Sequence, residues 1–179
     1  FSCSAWIASI HRGIDVARAN GLVHVSGSTG STSEKAVIAR YDLPEIALMD
    51  MGDFVGGMLK YMRRNPVANL TIAGGFAKMV KLGQGAIDLH SARSQVDFAA
   101  LADLATPCGY DHDMVANANS VLDVVQQGTT EMRVKLANAI AAAAQKTALR
   151  VIAGAAVNIE ILVVARDGQI LGTAGTIAP

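Results

Sequence analysis

The chain is poor in aromatic residues, poor in cysteine and without net charge. One Trp, three Tyr and four Phe in 179 residues leave few platforms on which bases or sugars could stack. Fifteen Lys and Arg balance fifteen Asp and Glu, and no basic run is longer than Arg63-Arg64, so the footprint of a nucleic-acid partner is missing. The two cysteines, Cys3 and Cys108, are far apart and form no metal or redox motif, which fits a reducing cytoplasm. No apolar stretch reaches membrane-spanning length; the Ala-rich segment from Ala137 to Ala148 is broken by Asn138, Gln145 and Lys146. No signal-peptide pattern is seen at Phe1. What is present is apolar residues at 51% and charge at only 17%, enough for a sizeable core. The length suits one large domain, with or without an appendage. Abundant Ala and Gly suit close packing of helices on a sheet.

Apolar periodicity sets the expected elements. Ser2 to Asn20 reads as a helix with Trp6, Ile10, Ile14 and Ala17 on one stripe. Leu22 to Ser26 reads as a strand, followed by a Gly27–Gly30 loop and a helix to about Tyr41. Glu45 to Met49 is a second strand, followed by a helix to about Arg64 with Phe54, Met58 and Met62 inward. Asn69 to Ala73 is a third strand, leading into the stretch from Gly74 to Ser91, GGFAKMVKLGQGAIDLHS. Strands alternating with helices predict an open, mostly parallel α/β sheet with right-handed crossovers. Further helices are expected over Ala92–Ala105, from Asp111 to Gln127 and over Thr130–Ala153. Asn158–Ala165 and Gln169–Thr173 around Arg166-Asp167-Gly168 read as a hairpin at the sheet edge.

Three places could carry chemistry. Gly30 with Ser31 to Glu34 opens a helix after a strand, where backbone amides can hold a nucleotide-like ligand; Ser31 and Glu34 also have the spacing of a capping box. Asp53 follows the second strand, where an acid often takes a ribose, though it also suits a helix N-cap. Lys78 and Lys81 lie three apart and would share a helix face, suited to an anionic ligand or simply to solvent. His90 and Ser91 lie beside a glycine-rich turn, Ser91 as a candidate helix cap and His90 as a candidate acid–base group. No dinucleotide fingerprint or Walker lysine is present. Asp111-His112-Asp113 reads as a helix start rather than a metal site.

Taken in series, Gly30-Ser-Thr-Ser-Glu34, Met51-Gly-Asp-Phe-Val-Gly56 and the stretch from Gly74 to Ser91 resemble the CbiD family, the cobalt-precorrin-5B C(1)-methyltransferases of anaerobic cobalamin (vitamin B12) synthesis. The opening FSCSAWIASIHRGIDVARANG resembles the segment after that family's glycine- and threonine-rich central loop. The sequence departs from the family pattern at Gly75-Phe76-Ala77 and at Ser31. Family members are about twice as long, so the resemblance implies that residues 1–179 are one α/β domain, the C-terminal half of a two-domain protein, with the N-terminal half as its partner.

The resemblance implies methyl transfer from S-adenosylmethionine to ring carbon 1 of a cobalt-precorrin, giving cobalt-precorrin-6A, with cobalt only inside the substrate. On this basis Gly30, Thr32, Ser33, Glu34, Gly52 and Asp53 are expected at the methyl donor. Gly74, Lys78, Lys81, Ser91 and Arg93 are expected at the tetrapyrrole, the cations pairing with its carboxylates, and His90 is expected to orient a substrate group or shuttle a proton. Two other classes stay open: a non-catalytic tetrapyrrole- or nucleotide-binding module, and a nicotinamide-dependent oxidoreductase. Oligomeric state, including a homo-oligomer, is left open.

Overall fold

The computed structural model describes residues 2–178; Phe1, the first residue of the FSCSAWIASIHRGIDVARANG segment, and Pro179 lie outside them. The first helix, α1 (Cys3–Ala19), is capped by Ser2, whose hydroxyl accepts the Ala5 N–H, and it buries Ile10, Ile14 and Ala17 at helical spacing. Strand β1 (His24–Ser28) and helix α2 (Ser31–Arg40) follow. The expected second strand is shorter than its apolar pattern: Glu45–Ala47 forms a 3₁₀ turn, and only Leu48–Asp50 pairs, as β2. Helix α3 (Val55–Arg64), strand β3 (Asn69–Gly75) and helix α4 (Phe76–Gly83) complete three β-α units.

Two expected helices are redrawn by side-chain caps. The helix expected from Ala92 begins at Phe98, as α5 (Phe98–Ala105), because Asp97 caps it by accepting the Ala100 N–H at 3.0 Å. Gln84 clamps the backbone of Asp97 from both sides, at 2.8 and 2.9 Å. Residues 84–97 therefore run as an irregular segment, and Ser91 caps nothing. The helix expected from Asp111 to Gln127 splits into α6 (His112–Ala116) and α7 (Val121–Gln127), since Ser120 starts a second helix by accepting the Asp123 N–H. The long α8 (Thr130–Ile152) leads to β4 (Asn158–Val164) and β5 (Ile170–Ala174).

The sheet order is β2-β1-β3-β4-β5, with β1 to β4 parallel and β5 antiparallel to β4. The hairpin thus extends the sheet as expected, but its first strand is internal. Right-handed crossovers divide the helices between the faces. The leftward step from β1 to β2 puts α2 on one face, with Ala36 and Val37 against Ala73, Leu162 and Val164. The rightward steps put α3, α4 and α8 on the other, where with α1 they bury Val25, Leu70, Ile72, Ile159, Ile161 and Val163. Helix α8 lies so close to β5 that a Cβ at Gly172 would come within 2.2 Å of the Ala137 carbonyl carbon. A larger residue there would force the layers apart.

Candidate functional site

In a sheet of this order the chain leaves β1 and β3 toward opposite faces, and a crevice opens between them at their carboxyl ends. A cavity of about 570 Å³ lies there. One wall is Thr29 to Ser33, the turn after β1 and the first turn of α2. The second is Gly75 to Lys78, the start of α4, and the third is Val164 to Arg166 after β4, with Leu122 and Val125 of α7 facing in. The lining is therefore mostly apolar with a few polar groups, as ligand cavities are.

The polar groups are placed by the helix starts. Neither α2 nor α4 has a side-chain cap on its first N–H groups. This corrects the capping box expected from Ser31 and Glu34: Gly30 is the N-cap, and Ser33 is the residue that folds back, its hydroxyl 3.0 Å from the Gly30 carbonyl and 3.3 Å from the Gly30 N–H. The first turns of both helices thus turn positive dipole ends toward the cavity. Lys78 sits in the first turn of α4, a position that the dipole disfavours for a cation. Asp53, in the loop after β2, forms an ion pair with it. Asp53 is therefore not the N-cap of α3, which is Phe54. Both side chains are partly exposed, so the pair positions more than it stabilises.

Of the residues expected at the site, Gly30, Thr32, Ser33 and Lys78 line this one cavity, and Asp53 joins them through Lys78. Donor and tetrapyrrole candidates are thus brought together. Glu34 lies further along the first turn of α2 and does not line the cavity. Gly52 has a structural reason of its own: its φ is +54°, and a Cβ would meet Trp6 at 2.9 Å, so glycine suits the turn on both counts. Gly74 is buried at the end of β3, beside the cavity. Lys81 points elsewhere. Its ammonium donates to the Leu89 carbonyl at 3.1 Å and lines a second cavity between α4, α5 and α8. Burial and the neighbouring Lys78 push its pKa down, against the pull of Asp53.

His90, Ser91 and Arg93 are exposed on the irregular segment and do not line the cavity. The His90 Nδ1 accepts the Ala92 N–H at 3.1 Å, and its own backbone N–H donates to Asp88. Cavity residues absent from the sequence expectation are Thr29, Phe76, Leu122, Val125 and above all Arg166. The signal for Arg166 was its position at the turn after a strand; reading that strand as an edge hid its place at the carboxyl end of the parallel sheet. Asp111 caps α6, and His112 pairs with Asp103 at 2.8 Å. Among the described residues no cluster of three or more His, Cys, Asp or Glu is placed to hold a metal ion, and no helix is long and apolar enough to cross a membrane.

A cavity at the switch point of a mostly parallel sheet, beside two helix starts without side-chain caps, makes this an α/β domain with a candidate ligand cavity. Residues 88–175 match the model described as CbiD, C-terminal domain. A Brucella anthropi protein named cobalt-precorrin-5B C(1)-methyltransferase is 56% identical over 96% of this chain, and a Brucella canis protein of the same name is 55% identical over the same share. The chain belongs to the CbiD family. It spans about half the length of these relatives, 47% in each case. No solved structure matches it.

Proposed function

We propose that this chain is the C-terminal α/β half of a cytoplasmic methyltransferase that transfers a methyl group from S-adenosylmethionine to ring carbon 1 of cobalt-precorrin-5B, giving cobalt-precorrin-6A. The names of the relatives support the reaction. The observation that carries the reading of the site is the cavity where Gly30, Thr32, Ser33 and Lys78 converge. Its volume of about 570 Å³ suits a donor-sized molecule better than a whole corrin ring. We assign it to the donor, with the tetrapyrrole lying across its mouth toward the N-terminal half.

The bound donor supplies an electrophilic methyl group. The chain's part is placement, which accounts for much of the rate when two reactants must meet in line. The first turns of α2 and α4 offer backbone N–H groups and Thr32 a hydroxyl. Phe76, Leu122 and Val125 exclude water. Lys78, held by Asp53, presents a cation at the rim. Among the described residues the cavity lining holds no His, Asp or Glu, and its one amine, Lys78, is paired with Asp53; attack by an already electron-rich carbon needs no strong base. That same feature favours a second reading, in which this half only binds and the N-terminal half completes the catalytic centre.

Calorimetric titration with S-adenosylhomocysteine, on this chain and on its complete gene product, tests the assignment. Binding by both is expected. Failure of the complete protein to bind overturns the donor reading. Binding by this chain with no turnover when methyl donor and precorrin are supplied supports the second reading. Asp53→Ala is expected to weaken donor affinity by releasing Lys78; unchanged affinity removes Asp53 from the site.

A further inference from the structure

The cavity has two cations on its lining, and they differ. Lys78 is already paired with Asp53. Arg166 is exposed at the rim and has no ion-pair partner among the described residues. It occupies the turn between β4 and β5, a tight hairpin closed by the Gly168 N–H to the Ala165 carbonyl at 2.9 Å and the Ala165 N–H to the Gln169 carbonyl at 2.8 Å. Its acidic neighbour, Asp167, accepts the Gln169 N–H at 3.0 Å and forms no ion pair with it. The β4 strand that carries this turn runs parallel to β3 in full register, from Asn69 opposite Asn158 to Gly75 opposite Val164. A rigid central strand thus holds a free guanidinium at the open side of a largely apolar cavity.

A guanidinium presents a planar fork of donors that fits a carboxylate with two parallel hydrogen bonds, which a point charge such as an ammonium cannot reproduce. We infer that Arg166 is a binding residue for a ligand carboxylate, and that this carboxylate is the one on the amino-acid end of the methyl donor. The inference rests on the donor assignment above. Lys78, paired with Asp53, ties the loop after β2 to the first turn of α4. Tetrapyrrole carboxylates are the other source of the same chemistry. The donor is favoured because Arg166 lines the cavity together with Thr32 and Ser33, at donor-sized dimensions.

The test compares two probes on the complete protein. S-adenosylhomocysteine carries the amino-acid carboxylate; 5′-methylthioadenosine keeps the adenosine and thioether but lacks it. Arg166→Ala is expected to weaken S-adenosylhomocysteine by about tenfold or more, the usual scale for a lost hydrogen-bonded charge partner. It should leave 5′-methylthioadenosine within about twofold. Arg166→Lys is expected to recover only part of the loss, because charge returns without the fork. Unchanged S-adenosylhomocysteine affinity in Arg166→Ala, with the wild type binding normally, overturns the inference and spares the donor assignment. Equal loss of both probes overturns it too, since the contact then ignores the carboxylate. A raised KM for the precorrin with donor affinity intact overturns the donor version and moves Arg166 to the substrate. Failure of the wild type to bind S-adenosylhomocysteine overturns this inference together with the assignment it rests on.

Discussion

The two ends of the sheet both carry polar residues, but they treat them in opposite ways. Toward the amino ends of the strands, on the α2 face, Thr71 and Glu160 stand side by side on β3 and β4, with the unpartnered Ser26 hydroxyl of β1 beside Thr71 and outside their network. Glu160 is only 3% exposed and is fully occupied. The Tyr41 hydroxyl lies 2.7 and 2.9 Å from its two oxygens, Thr71 donates at 3.2 Å, and Arg40 reaches it at 3.4 Å. With the Thr71 proton committed to Glu160, the His24 Nε2 at 2.8 Å must be the donor to Thr71. At the carboxyl end the reverse holds: two helix starts lack side-chain caps, and Arg166 lacks a counter-ion among the described residues. A polar cluster satisfied from within is a structural device, whereas polar groups aimed into a cavity await a ligand.

This contrast predicts that amino-end variants lose stability and keep ligand binding, and that carboxyl-end variants do the opposite. The largest loss is expected from Glu160→Ala, which strands the Tyr41 and Thr71 hydroxyls: about 2–4 kcal/mol in urea unfolding, with S-adenosylhomocysteine affinity unchanged. A loss of affinity there would dissolve the distinction between the two ends. Tyr41→Phe removes one charge-assisted hydrogen bond and should cost about 1–2 kcal/mol. A cost near zero would mean that Thr71 and Arg40 suffice for Glu160.

A pH effect comes next. Burial holds the His24 pKa below its ordinary value, against the opposing pull of Glu160. The unfolded chain therefore takes up this proton more readily than the folded one, so His24 costs stability as pH falls below about 6.5. His112 works the other way, its pKa raised chiefly by its hydrogen bond to Asp103; its contribution is present below that pH and fades as pH rises. Subtracting the profile of His24→Gln from that of the wild type isolates the first effect, and identical profiles would remove it. The smallest stability change belongs to Thr32→Ala at the other end, within about 0.5 kcal/mol, accompanied by weaker donor binding. A larger stability loss would show that the α2 start is held from within after all.

Much of the architecture was legible from periodicity. The stripe Ile10, Ile14 and Ala17, the apolar run of β3 and the Asp-Gly turn between β4 and β5 each report a local constraint. Misreadings came where a single side chain decides. Asp97 and Ser120 start helices by accepting an N–H, and nothing in the apolar pattern distinguishes them from other polar residues nearby. The lining of the candidate cavity was half legible. Gly30, Thr32, Ser33, Asp53 and Lys78 belong to turns after strands, which sequence order brings to one edge. Arg166 was missed because it follows β4, whose place inside the sheet depends on a crossover through α4 to α8 that carries no local signal. Lys81 was grouped with Lys78 by spacing, yet its partner is Leu89, beyond the end of the same helix.

The sequence by itself determined the β-α order, the parallel class of the sheet and the family, because these follow from periodicity and from motifs read along the chain. Only the tertiary structure decided that residues after β1, β3 and β4 share one cavity, that Asp53 neutralises Lys78, and that Arg166 stands free. Those facts depend on which strands become neighbours, and that is settled by burial of the whole sheet between its two helical layers rather than by any segment alone.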